Sequence, residues 1–319
     1  VTRIGHYGLK FNDFFEKNMF VIIPSSMVAG FLFADHLASL TGWIAWLFAW
    51  ITFVMALSCK VADLQTTFRR PTLMLIILLL AHLVAPWIVY KLGAFWFGAG
   101  SPYIIGMVLF AAIPLGVSSI IWVGLSNGNV ALTLALVVID TLFSPLILPA
   151  VLAQFFGARL DFEYWQLFRD LSLMIVLPTT FGVLVNHWTK GSFREKIHPY
   201  ATPSTKLAFM LVVMINVAAI TPFMSELRAD LLKLVPVTLL VVVICYGLGF
   251  LACLLPGRRS QITTLPYLAG MRNISLGIVV GLQYFGPLAA VPVVLSILIQ
   301  QPMATLNHWL LKKWLSKRK

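Results

Sequence analysis

Charge is the scarcest commodity in this chain. Only 11% of its 319 residues are Asp, Glu, Lys or Arg, whereas 60% are hydrophobic; soluble domains carry about 25% charged residues, so a soluble globular fold is excluded. Acidic side chains are rarest, 11 against 23 Lys and Arg, which leaves a net charge of +12. The basic residues sit in short clusters between apolar runs, the pattern of cytoplasmic loops facing anionic headgroups rather than of a nucleic-acid surface. Cysteine is nearly absent: Cys59, Cys245 and Cys253 are dispersed in or beside apolar segments without CxxC spacing, which rules out a disulfide framework or a thiolate metal centre. No GxSxG, HExxH, Walker or Rossmann pattern occurs in a fitting context, so neither an enzyme nor a cofactor is expected. No small-residue cleavage site follows the first strong apolar run near Met19, and that run is expected to be retained as an insertion signal.

What remains is a succession of apolar runs, predicting an all-α polytopic membrane protein. A polar arm, residues 1–18, precedes spans over Met19–Phe33, Trp43–Ser58, Thr72–Trp96, Tyr103–Leu125 and Val130–Phe156. A charged loop, Arg159–Asp170, leads to Leu171–Trp188. A basic loop with Lys190, Arg194 and Lys196 then precedes Leu207–Met224, Leu231–Leu255, the interrupted run Thr264–Tyr284, and Leu288–Leu311. Ten spans result, the first of them short against the ~20 residues that cross a bilayer. With the N-terminus inside, inner segments hold most of the Lys and Arg, including Arg69, Arg70, Arg258, Arg259, Lys312, Lys313 and Lys317–Lys319. Outer segments hold only Lys91, Arg159, Arg169, Arg228 and Lys233. Both termini are therefore expected in the cytoplasm, in a bacterial inner or plasma membrane.

FVMALSCKVADLQTTFRRPTLMLIILL in the first half loosely parallels FMLVVMINVAAITPFMSELRADLLKLVPVTLL in the second. Two repeats follow, 19–156 and 157–319. Five spans per repeat is an odd number, so the halves must be inverted. The fourth and ninth spans correspond, and both are interrupted, at Pro114-Leu115-Gly116-Val117-Ser118-Ser119 and at Gly270-Met271-Arg272-Asn273. Freed backbone groups at membrane depth are tolerated only where they line a cavity or are buried in protein, so the two breaks point to a binding site at the midplane.

Three polar intrusions stand at that depth. Arg272, in TLPYLAGMRNISLGIVVGLQY, costs ~2.5–3.5 kcal/mol even on the lenient insertion scale and marks a functional site by default. It could clamp an anionic substrate, stand in as a tethered cation for a transported metal ion, or snorkel to the interface. Asp140 lies ~16 Å into its span at a helical rise, on one stripe with Thr133 and Val137; it reads as a structural ion-pair partner or as a proton- or substrate-responsive group. His82, in ILLLAHLVAPW, could relay protons or be a satisfied core residue. Ser118, Ser119, Thr133, Asn273 and Ser275 are small hydrogen-bonding groups suited either to a pocket or to helix packing.

The sequence AAIPLGVSSIIWVGLSNGNVALTLALVVIDTLFSPLILP over spans four and five, with AGMRNISLGIVVGL in span nine, resembles the bile acid:sodium symporter superfamily, which includes bacterial organic-anion symporters and arsenite permeases. The resemblance implies a panel domain of spans one, two, six and seven, and a core domain of the other six that crosses at spans four and nine. It implies two sodium sites, but their donors are altered here. Leu268 stands for a glutamate, Arg272 for a glutamine, Val137 for a threonine, and Ala81, beside His82, for another glutamine. Only Ser119 and Thr133 remain as plausible ligands of a degenerate site made of Ser119, Thr133, Leu268 and Arg272. The permeases' span-four cysteine is absent, although Trp122 is similar to a tryptophan of theirs.

The expectation is therefore a secondary transporter that moves a small or amphipathic organic anion through the bilayer by alternating access. Arg272, Asn273, Ser118, Ser119 and Thr133 would bind it, and Asp140 would pair with Arg272 in the vacated cation site. Proton coupling through Asp140 or His82, or no coupling, outranks sodium, and no metal ligand set is expected. The alternatives are a metalloid permease and a non-transporting receptor on a transporter scaffold.

Overall fold

Peptide groups in hydrocarbon have no water to bond, and this chain satisfies them with helices. A computed structural model describes residues 3–69, 71–157, 163–223 and 230–316. The N-terminal half comprises α1 (Arg3–Lys17), α2 (Met19–Leu32), α3 (Ala34–Ala56, with a 3-10 stretch at Ala38–Trp43), α4 (Val61–Phe68), α5 (Pro71–Phe97), α6 (Pro102–Ala112), α7 (Ser119–Leu125) and α8 (Val130–Phe156). The C-terminal half continues with α9 (Tyr164–Trp188), α10 (Ser192–Ile220), α11 (Leu231–Cys253), α12 (Leu265–Gly270), α13 (Ile274–Phe285) and α14 (Pro287–Ser316). Among the described residues α3, α5, α8, α9, α10, α11 and α14 are long and apolar enough to cross a membrane, and Val21–Leu32, α6 and α13 are shorter apolar helices. The chain is a multi-pass membrane protein.

Its surface confirms the solvent. Leu32, Phe33, Trp46, Phe95, Leu232 and Leu254 are each more than half exposed, while Asp140, Ser119, Thr133, Asn216 and Gln300 are buried. Helices gain little from apolar burial when lipid is the alternative, so close backbone approach carries the packing. At Gly106 of α6, a Cβ would sit 1.9 Å from the Ala289 carbonyl oxygen of α14; only glycine permits that crossing.

Two expected loops are helical instead. The segment from Tyr164 to Asp170 belongs to α9, because Leu167 and Leu171 form a buried stripe that carries the helix out past its apolar run. Arg194 and Lys196 belong to α10, which starts at Ser192 after Gly191 turns the chain at φ 84° and runs on through Pro199 and Pro203. The polar arm is also a helix: α1 lies along α10, with Phe15 buried and Glu16 paired to Lys206 at 3.1 Å. Arg70, Arg159, Met224, Arg228 and Lys317–Lys319 lie outside the described residues.

Candidate functional site

Ile113 has an extended backbone that ends α6, and Met271 does the same for α12. The two breaks meet and zip together as a short antiparallel ribbon. Leu115 and Arg272 form a bridge, Gly116 N–H donates to Met271 O at 2.9 Å, and Asn273 N–H donates to Pro114 O at 2.8 Å. The ribbon is tight enough that a Cβ on Gly116 would meet the Arg272 carbonyl oxygen at 2.7 Å. A bridge of this kind satisfies inward-facing peptide groups only; those on its outer edges need other partners.

On the Leu115 edge the partners are ionisable. Asp140 of α8, fully buried, accepts Leu115 N–H on Oδ2 at 2.7 Å and meets His82 Nε2 through Oδ1 at 2.6 Å. His82 Nδ1 lies 3.0 Å from the Ala112 carbonyl, one of the free carbonyls at the end of α6. A carbonyl can only accept, so Nδ1 carries a hydrogen. His82 sits in a π-turn, Leu80–Val84, that interrupts α5; such single turns recur at functional sites. The imidazole and carboxylate together brace both sides of the break.

On the Arg272 edge the partner is neutral. Gln300 of α14 accepts Arg272 N–H on Oε1 at 2.8 Å and donates from Nε2 to Arg272 O at 3.3 Å. The guanidinium itself is buried at 2% exposure. Its Nη2 donates to Ala81 O at 3.4 Å, next to His82, and the Cys245 thiol of α11 lies beside it. Its Nε and Nη1 have no hydrogen-bond partner among the described residues. The expected ion pair with Asp140 is not formed in this state: the carboxylate's oxygens are taken by His82 and Leu115. Nor does the group snorkel, since Ala81 and Cys245 are both buried.

A cavity of about 670 Å³ ends on the ribbon. One wall comes from α1, α2, α3 and α10, the other from residues 117–118, 120–121, 130–131, 134, 272–275, 297 and 300–301. It is largely apolar, through residues such as Phe48, Met55 and Phe209, and Arg194, His198 and Lys206 line it along α10. Arg194 Nε is buried with no hydrogen-bond partner among the described residues.

Of the residues expected to touch a substrate, Arg272, Asn273 and Ser118 line the cavity, as does Ser275; Ser119 and Thr133 do not. Adjacent positions on a helix point about 100° apart, so Ser118 faces the cavity while Ser119 faces the protein, its hydroxyl buried and unpartnered. Thr133 spends its hydroxyl on the Asn129 carbonyl at 2.8 Å. A hard cation asks for six or more oxygens, and the degenerate set offers one free hydroxyl beside apolar Leu268 and a guanidinium. Sequence reasoning missed Gln300 and Gln301, the latter accepting from Trp122 Nε1 at 3.0 Å. Adjacent glutamines followed by Pro302, in an otherwise apolar helix, were the available signal.

A multi-pass helical protein whose internal cavity ends on two crossed, broken helices has the construction of a secondary carrier. The chain belongs to the sodium bile acid symporter family, whose model matches residues 45–227. It is 31% identical to the uncharacterized protein YbaS of Bacillus subtilis over 92% of this chain and 96% of that one. It is 25% identical to the same organism's uncharacterized sodium-dependent transporter YocS, over 83% and 81% of the two chains. It is 26% identical to a probable chloroplastic sodium/metabolite cotransporter, BASS1, of Oryza sativa, over 76% of this chain and 59% of the plant protein.

Proposed function

We propose that this protein is a secondary transporter of an amphipathic organic anion, working by alternating access and coupled to an ion other than sodium. The observation that carries the reading is the cavity. Its apolar walls suit a hydrocarbon or ring body, its polar floor at Ser118, Asn273 and Gln301 suits a hydrogen-bonding head, and Arg194 brings a cation with an unused donor. The guanidinium of Arg272 is turned toward Ala81 and Cys245, so it acts on the substrate through the ribbon and not as a direct clamp.

The cavity separates α2, α3 and α10 from the crossover, which supports a panel of spans one, two, six and seven moving against a core of the other six. Ten spans in two inverted repeats, with both termini in the cytoplasm of a bacterial cell, complete the proposal. In that orientation α1 and the basic stretch of α10 border the cavity's cytoplasmic side. Altered sodium donors at Leu268, Val137 and Ala81, with a fixed cation at Arg272, support coupling without sodium.

Counterflow in proteoliposomes, with a panel of labelled organic carboxylates and sulfonates with and without sodium, tests this. Exchange of an amphipathic anion independent of sodium is expected. Strictly sodium-dependent exchange overturns the coupling assignment. Exchange of arsenite alone favours a metalloid permease, and binding without exchange of any anion favours a receptor.

A further inference from the structure

The 2.6 Å contact between His82 Nε2 and Asp140 Oδ1 has a simple requirement. Nδ1 already holds a hydrogen, because it faces the Ala112 carbonyl at 3.0 Å. Asp140 Oδ2 already accepts from Leu115. Between Nε2 and Oδ1 there is room for one proton, held as imidazolium–carboxylate or as imidazole–carboxylic acid. Without it two lone pairs would face each other at hydrogen-bond distance, and the contact would part.

The alternative partner is within the same neighbourhood. Leu115, whose N–H the carboxylate holds, is the bridge partner of Arg272, and the guanidinium reaches Ala81 O, the residue before His82. Beside the Cys245 thiol, its Nε and Nη1 are buried donors with no nitrogen or oxygen partner among the described residues, a costly arrangement unless another state fills them. Charge counting agrees. With the proton in place the trio His82, Asp140 and Arg272 carries a net +1; without it, Asp140 and Arg272 balance. The other ionisable groups on elements packed against the couple are engaged elsewhere or stand apart from it. Tyr90 of α5 packs on Phe155 and Phe156, Lys91 on Trp87, and Tyr103 of α6 bonds Asp230. From α11, Cys245 sits by Arg272, Tyr246 by Tyr267, and Cys253 bonds Gly249 O; Asp63 of α4 stands by Cys59, Asp170 of α9 is held by Arg169 and Tyr284, and α8 contributes Asp140 alone.

We infer that His82 and Asp140 form a binding site for a single proton, the coupling ion of this carrier, and that losing the proton hands Asp140 from His82 to Arg272. The hand-over withdraws the carboxylate from Leu115 N–H and the imidazole from Ala112 O, so proton occupancy sets whether the break below α6 is braced. The step is a plain proton transfer: the N–H or O–H bond breaks, the proton leaves to water, and no electrons are exchanged. The coupling half of this inference rests on the transporter reading; the proton site does not.

The test follows the full chain in lipid nanodiscs, labelled with nitrogen-15 at histidine and arginine, by NMR from mildly acidic to alkaline pH. One histidine is expected to lose its Nε2 proton while the Arg272 Nε signal shifts in the same step. In Asp140→Asn the amide bonds both Leu115 N–H and His82 Nε2 permanently, and both signals are expected to stay fixed. If that variant fails to fold, His82→Gln assigns the signal and the wild-type titration still decides. A wild-type His82 whose Nε2 protonation does not change across the range overturns the site, and an Arg272 signal that ignores the step overturns the hand-over. With whichever anion exchanges in counterflow, wild-type protein is expected to accumulate it under a pH gradient and Asp140→Asn is expected to lose that pH-driven accumulation. Accumulation retained in that variant overturns the coupling. Failure of every anion to exchange sinks the transporter reading while leaving the NMR result to judge the proton site.

Discussion

The two edges of the crossover ribbon do the same structural task with different chemistry. At the Leu115 edge, the break's outward peptide groups are held by Asp140 and His82, two ionisable side chains. At the Arg272 edge, Gln300 holds the corresponding N–H and C=O with an amide that has no titratable proton. Two broken helices crossing inside the bundle need equal bracing, because their freed peptide groups have no water to replace it. On the proposed proton site, one brace is conditional and the other permanent. The difference teaches where a moving part can be: the Leu115 edge can let go, and the Arg272 edge supplies the fixed point against which it moves.

The largest expected effect comes from destroying the conditional brace outright. Asp140→Ala leaves Leu115 N–H and His82 unpaired in a dry interior, and loss of one partner of a buried pair costs about 3–5 kcal/mol; a matching fall in unfolding free energy in detergent checks it. Asp140→Asn keeps every hydrogen bond and should stay within about 1 kcal/mol of wild type. Should the two variants be equally unstable, the charge rather than the hydrogen-bond geometry holds that edge. Breaking the permanent brace comes next. Gln300→Leu strands the Arg272 N–H, at about 1–3 kcal/mol for a buried group, while Arg272 O keeps Ile274 N–H at 3.0 Å; the loss of stability is expected to be the same at every pH. A strong pH dependence in that variant would erase the contrast between the edges.

The seam between them is the third target. Gly116→Ala forces a methyl group toward the Arg272 carbonyl 2.7 Å away, and overpacking of this sort costs about 1–3 kcal/mol. Denaturant unfolding should show it without altering the His82 titration. The smallest effect is a control far from both edges. Cys59, between α3 and α4, is buried near Asp63, and burial followed by that carboxylate pushes its thiol from 9.0 up to about 12. The unfolded chain gives up this proton first, so the stabilising share of a neutral Cys59 is present below pH 9 and is lost as pH rises from there toward 12. Cys59→Ala should flatten that alkaline decline, and the wild-type thiol should resist maleimide at neutral pH until the protein is denatured.

Much of the frame was legible in the residues. The apolar runs find the membrane helices, although α3, α9 and α10 begin well before their apolar runs, and Val130–Phe156 matches α8 at both ends. The two breaks and the three polar intrusions were visible because Arg, Asp and His are costly at that depth. What stayed hidden is which intrusion meets which. Opposite charge made Arg272 and Asp140 the natural pair. The π-turn at Leu80–Val84, however, widens α5 by a residue and carries His82 to the carboxylate, and nothing in the spelling LAHLV announces such a turn. The pairing of Gln300 with a backbone was illegible for a related reason: amides inside a helix bundle are common packing groups, and only the crossing geometry shows this one to be a brace. Helical extensions through Tyr164–Asp170 and Ser192–Lys206 escaped because charge on an exposed face of a helix looks like charge in a loop.

The bridge between Leu115 and Arg272 also dictates how the molecule can be made. Half of this two-part handshake is synthesised first and must wait in the membrane, its backbone bare at Pro114 and Gly116, until the ribosome has travelled on to Met271 and Asn273; at about 5–20 residues per second that interval is roughly 10–30 s. During it the newborn chain depends on the insertion machinery or on borrowed lipid and water for its missing bonds. Supplying the second half as a separate polypeptide should rescue a truncated first half, because the seam is drawn across the chain and not along it.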